Sequence, residues 1–175
     1  MKKILYLFAA AALITSCNNA ATTYEAKKDT AAMPYRAMYS SDIVFSDSTK
    51  NARAVLQSLK DWEDNKLNNA PAYFGDTVKM DFWNGHSITL KRDSLVKMGQ
   101  KVRDSLLSSK ITVYVYTNLR ATDKKEDWVN VWYKQIDTYK NGKVDSAEYQ
   151  DDNLMKNGKI VYVSDKRRTL LPRSK

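Results

Sequence analysis

The sequence predicts an α+β domain in which a curved antiparallel sheet carries helices against one face. Three observations point there. The tetrapeptide Lys-Asn-Gly-Lys occurs twice, at Lys140–Lys143 and Lys156–Lys159, and Asn-Gly readily adopts the positive φ angles of a type I′ hairpin turn. Runs rich in β-branched and aromatic residues flank both turns, over Trp128–Tyr139, Val144–Met155 and Ile160–Ser164. Two segments with helical periodicity come first, with no β-α-β alternation between them.

Taken in order, Ile43-Val44-Phe45 is a short lead-in to the domain. A helix follows, capped by Asp47 or Ser48, with Ala52, Val55, Leu56, Leu59 and Trp62 along one face. It fades at Asn68-Asn69, and Pro71 prevents its resuming. Val78–Trp83 alternates as a short strand, and Asn84-Gly85 marks another turn. A second helix is expected from about Lys91 to Ser108, with Thr89 as cap and Leu95, Met98, Val102 and Leu106 as its apolar stripe. Lys110–Thr117 is a strand apolar or aromatic on both faces, so it needs cover on both sides or a partner on its outer face. Asn118–Asp127 is a polar connection into the three-stranded meander. Strands of roughly twelve residues, about 40 Å if straight, usually bend. A bulge is expected near Asp151-Asp152-Asn153.

The N-terminus is an address. Lys2 and Lys3 precede an apolar run, Ile4–Ile14, too short for the roughly twenty residues a bilayer crossing needs. The run ends on Ile14-Thr15-Ser16-Cys17, which resembles the lipobox of bacterial lipoproteins. That resemblance implies a signal peptide over residues 1–16 and acylation, with palmitate among the chains, of Cys17, the only cysteine. Asn18 after it implies the outer membrane, lipid-anchored, and the lack of an acidic cluster immediately after it favours the periplasmic face, with the cell surface as the alternative. Residues 17–42 read as a flexible tether of about 25–30 Å mean span. The domain is expected over residues 43–168, followed by a basic tail over 169–175.

The formal charge is +9. An exported chain rarely meets nucleic acid, and the charges are spread apart from Lys166, Arg167, Arg168, Arg173 and Lys175, so no nucleic-acid partner is expected. His86 is the only histidine, which with Cys17 outside the domain argues against a zinc site; no metal or cofactor is expected.

Trp62, Tyr73–Val78, Gly85–Val102, Trp128–Trp132 and Asp151–Val163, in that order and spacing, resemble the nuclear transport factor 2-like superfamily, especially its SnoaL-like branch. The resemblance covers roughly Asn51–Arg168, about two-thirds of the chain. It implies a cone-shaped half-barrel with a pocket between helices and concave sheet. The family's segment ending in Gly-Lys-Ile matches Asp151 followed by Gly158-Lys159-Ile160. Alternation puts Ala147, Tyr149, Asp151, Asn153 and Met155 on one face; with Met155 in the core, Asp151 lines the pocket. In the family's enzymes such a carboxylate moves protons beside a carbonyl. The same residue also reads as a hydrogen-bonded structural group. The sequence places no second, oxyanion-stabilising group: the first helix lacks a tyrosine, and Asn153 stands where an aromatic is frequent. Tyr73, Trp83, Trp132 and Tyr149 are candidates for an aromatic wall around a small hydrophobic ligand. The expected function is a non-catalytic binding or interaction module. The alternatives are an isomerase, cyclase or dehydratase using Asp151 as base, and a homodimer formed through the outer sheet face.

Overall fold

The computed structural model describes residues 34–35, 42–47 and 49–170. The chain divides into the units Met1–Arg36 and Ala37–Lys175, and every element below lies in the second. Cys17, the signal segment, most of the tether, Ser48, Arg173 and Lys175 lie outside the described residues.

The elements are β1 (Ile43–Phe45), α1 (Thr49–Glu63), a 3-10 helix (Leu67–Ala72), β2 (Phe74–Asp81), β3 (Ser87–Lys91), α2 (Arg92–Arg103), β4 (Leu106–Ala121), β5 (Glu126–Tyr139), β6 (Val144–Lys156) and β7 (Lys159–Thr169). They form one curled, unclosed seven-stranded sheet in the order β1-β4-β5-β6-β7-β2-β3. Neighbours are antiparallel except β2 and β7, which run parallel. The expected α+β architecture is therefore present, with one parallel seam in it.

Alternation decides what the sheet buries. Ala147, Asp151, Asn153 and Met155 of β6 face inward with Val129, Val131 and Tyr133 of β5 and Ile160 and Val163 of β7. Val55 of α1 closes this core, with Leu56 and Leu59 packed beside it.

Several boundaries differ from expectation for identifiable reasons. Asn157 and Gly158 both have positive φ, so the second Asn-Gly forms a two-residue turn between Lys156 and Lys159. At the first, only Gly142 is positive, and the loop closes through Gly142 N–H to Tyr139 O. The helix expected to run to Ser108 ends at Arg103: Leu106 continues its apolar spacing but is buried as the first residue of β4. The polar connection shrinks to residues 122–125, because Asn118–Ala121 pair with Glu126–Val129. Ser87–Lys91 is a strand missed in the sequence, paired to β2. Asp151–Asn153 pair regularly with both neighbours; the irregularities fall at Leu154/Met155, Leu106/Ser108, Val113/Val115 and Phe74/Lys79.

Ile160 is 1% exposed and its N–H bonds to Tyr73 O at 2.8 Å. Ile160→Ala is expected to cost about 2–5 kcal/mol, read as a lower urea midpoint at unchanged slope.

Candidate functional site

Two features occupy the helix-bearing side of the sheet. The first is a cavity of about 510 Å³ between α2, the 3-10 helix and the β2–β3 hairpin. Trp62, Leu67, Tyr73, Phe74, Met80, Phe82, Leu95, Met98 and Val102 make it apolar, and Asn84 and His86 add polar groups from the hairpin tip. The tip is set by the Asn84-Gly85 turn: Phe82 N–H donates to His86 O at 2.8 Å, Gly85 N–H donates to Phe82 O at 2.9 Å, and Gly85 sits at φ +85. Gly99 of α2 faces the cavity: a Cβ there would sit in ordinary contact, 3.6 Å from Leu67 Cδ1 and 3.9 Å from Trp62, so only a larger side chain would fill the space.

The second is a polar cluster on the inward face of β5, β6 and β7. The buried Tyr133 hydroxyl donates to Asp151 Oδ2 at 3.0 Å, and Tyr133 stacks on Tyr149 with ring centres 5.2 Å apart. Asp165 stands opposite Asp151 on β7. Burial pushes the Asp151 carboxyl up to about 8, and the Asp165 charge adds to this while the Tyr133 hydroxyl opposes it. Burial likewise raises Asp165 to about 6, against the pull of Arg167 and the Trp83 amide. Asp151 Oδ1 and Asp165 Oδ1 are buried with no hydrogen-bond partner among the described residues, which disfavours the ionised form of each. Beside them Arg167 donates from Nε to the Tyr149 hydroxyl at 3.0 Å and from Nη2 to Asp145 Oδ2 at 2.6 Å. Its guanidinium lies 5.2 Å from the Trp83 ring.

The sequence candidates thus separate. Tyr73 is in the cavity wall, and burial and the adjacent Asp61 raise its hydroxyl well above the usual phenol range. Asp151 and Tyr149 belong to the polar cluster and are absent from the cavity wall. Trp83, 54% exposed, caps Arg167 from outside. Trp132 alternates with the buried Val131 and Tyr133 and so lies on the opposite, outer face. Tyr133 and Asp165 were missed. The turn at Asn141-Gly142 fixes the β5–β6 register and places Tyr133 diagonal to Asp151. Asp165 was hidden because the irregularity at Leu154/Met155 moves the β7 register by one residue.

No protein-family model and no curated protein matches this sequence. Solved structures do. An LEH-like epoxide hydrolase of M. tuberculosis superposes with a TM-score of 0.59 at 10% identity, covering 70% of this chain and 86% of that one. A protein of unknown function from Burkholderia pseudomallei, described as nuclear transport factor 2-like, gives 0.55 at 13%, covering 69% and 92%. The fold is nuclear transport factor 2-like. A hypothetical protein with a ketosteroid isomerase-like fold from Catenulispora acidiphila, in complex with trimethylamine, gives 0.52 at 13%, covering 64% and 82%. At these identities the likeness to this superfamily is one of fold, and what the site does has to come from its own residues.

The carboxyl cluster has a readable signature. An unfolded aspartate ionises near pH 4, whereas Asp151 holds its proton to about 8. Between those values the folded chain binds more protons than the unfolded one, so stability falls as pH rises and stays low above the upper value. Asp165 steepens the acid half of that fall. Urea midpoints across this range are expected to decline in the wild type. Asp151→Asn should flatten the fall between about pH 6 and 8 and leave the variant the more stable protein at the alkaline end.

Proposed function

We propose that this chain is a membrane-tethered binding domain that takes a small, neutral, largely apolar molecule into the cavity under α2. The cavity carries this reading: its 510 Å³ lies in the range of small-molecule sites. Its wall of aromatic, leucine and methionine side chains contains no carboxylate, so a ligand there would be held by apolar contact and oriented by Asn84 and His86. Binding without chemistry is the simplest use of such a wall. The trimethylamine complex of one protein of the same fold supports a small-molecule role.

The lipobox supports a tether through acylated Cys17, placing the domain at the outer membrane on its periplasmic side. Two or more acyl chains hold a protein stably at a bilayer. Cys17→Ser should therefore release the protein from the membrane fraction or leave it unprocessed, and should abolish palmitate labelling. Unchanged fractionation would refute the tether.

One observation favours a second reading, an isomerase, cyclase or dehydratase acting on a small hydrophobic carbonyl compound with Asp151 as general base. The Tyr133 hydroxyl lies 3.0 Å from that carboxylate and puts an acid beside a base whose pKa is raised by burial. That reading requires the full chain to exchange the α-protons of an added ketone with solvent deuterium, and Asp151→Asn to stop the exchange without weakening ketone binding.

The test of the leading reading is a neutral naphthalene fluorophore titrated into the full chain in detergent. Saturable enhancement is expected. Gly99→Leu, which fills the space toward Leu67 and Trp62, should weaken binding about tenfold or more while the circular dichroism spectrum is unchanged. Equal affinity in wild type and variant would place the probe elsewhere.

A further inference from the structure

Asn-Gly occurs three times in the chain, at Asn84, Asn141 and Asn157, and all three asparagines are exposed. The dipeptide is chemically labile, because glycine has no Cβ to obstruct its amide nitrogen from closing on the asparagine Cγ. The three turns hold that nitrogen differently. Gly85 N–H donates to Phe82 O and Gly142 N–H to Tyr139 O, each at 2.9 Å. Their asparagine side chains are tied as well: Asn84 Oδ1 accepts from His86 N–H at 3.2 Å and Asn141 Oδ1 from Lys143 N–H at 3.0 Å. Among the described residues nothing is hydrogen-bonded to the Gly158 N–H or to the Asn157 side chain.

Backbone conformation separates them further. Asn157 and Gly158 have φ of 53° and 74°, as a type I′ turn requires. Rotating the one peptide between them gives type II′, which keeps Asn157 at positive φ and takes its ψ to about −120°. There the Gly158 nitrogen lies beside Cγ. The rotation costs no hydrogen bond among the described residues, and glycine follows it without steric penalty. At Gly85 and Gly142 the same rotation would break the bond that closes the turn. Lys50 also lies against the β6–β7 turn: a Cβ on Gly158 would fall 3.0 Å from Lys50 Cε and 3.4 Å from its Nζ. An ammonium at that range stabilises negative charge developing on the Gly158 nitrogen and the attacked carbonyl oxygen.

We infer that Asn157 is a self-modification site, deamidated in the folded protein by Gly158 with Lys50 beside it. The Gly158 nitrogen, its proton taken by solvent hydroxide, bonds to Asn157 Cγ. The side-chain nitrogen leaves as ammonia after taking a proton from water, and a five-membered imide remains. Water opens the imide at either carbonyl, giving aspartate or a β-linked isoaspartate; one water is consumed for each ammonia released. The new carboxylate stands beside Lys50 in the first turn of α1, which has no acidic residue of its own. The aspartyl product thus ties the β6–β7 turn to that helix end.

The test is peptide mapping by mass spectrometry of the full chain in mild detergent, held in alkaline buffer and sampled over time. Asn157 is expected to convert first, to aspartyl and isoaspartyl peptides, with Asn84 and Asn141 slower by about tenfold. In concentrated urea the three sites should react at similar rates. Lys50→Met should slow Asn157 by about fivefold and leave the other two unchanged. Lys50→Arg, which keeps the charge, should restore the wild-type rate. Folded chain in which Asn84 or Asn141 converts as fast as Asn157, or an Asn157 rate equal in wild type and Lys50→Met, would overturn the proposal.

Discussion

The fold depends on a mismatch of lengths between one helix and the strands it covers. α1 has 15 residues and is about 22 Å long, whereas the 14 residues of β5 reach about 46 Å. The helix can dry only part of the inward face. Under it lie Val129, Val131, Met155, Ile160 and Val163, which form the apolar core with Val55. Beyond it the same face continues with Tyr149, Asp151, Asp165, Asp145 and Arg167. A polar group shut away from water must find a partner or lose its charge. These residues do both, through Tyr133–Asp151, Arg167–Tyr149 and Arg167–Asp145, and through a raised Asp151 carboxyl that keeps its proton at neutral pH beside Asp165. Nearby, Ser109 donates to Asp137 at 2.6 Å and Gln135 to its other oxygen at 2.8 Å.

The trough therefore holds two chemistries side by side. The cavity under α2 is oily, and the aspartate cluster is polar. Trp83 joins them physically, because Phe82 before it walls the cavity while its own ring covers Arg167. The hairpin tip thus touches both compartments. On the outer face charges pair across strands, Lys166 with Asp152 and Arg168 with Glu148, which explains why the basic C-terminal cluster is largely neutralised where it joins the sheet.

Much of this was legible in the residues. The Asn-Gly turns gave the meander, and the alternation from Ala147 to Met155 gave the inward face. What escaped had physical causes. Leu106 fits a helical stripe and a strand equally well, and only its pairing with Tyr139 distinguishes them. Ser87–Lys91 has five residues, too few for periodicity to register against the cap-like Thr89. The run Asp151-Asp152-Asn153 has the polar composition of a bulge, yet each of its three side chains bonds across the sheet, Asp151 to Tyr133, Asp152 to Asn130 and Asn153 to Val129 O. Site geometry was harder still, because pairing Asp151 with Asp165 depends on a one-residue irregularity that no composition announces.

The parallel seam between β2 and β7 has a consequence in time. Ile160 N–H closes on Tyr73 O, and Lys159 Nζ reaches Pro71 O at 2.8 Å and Ala72 O at 2.7 Å, contacts that span more than half of the domain's length. β2 has no strand neighbour other than β3 until β7 joins it. The seam is therefore the pairing of greatest sequence separation in the sheet, of the kind that loop-closure entropy makes slow to form.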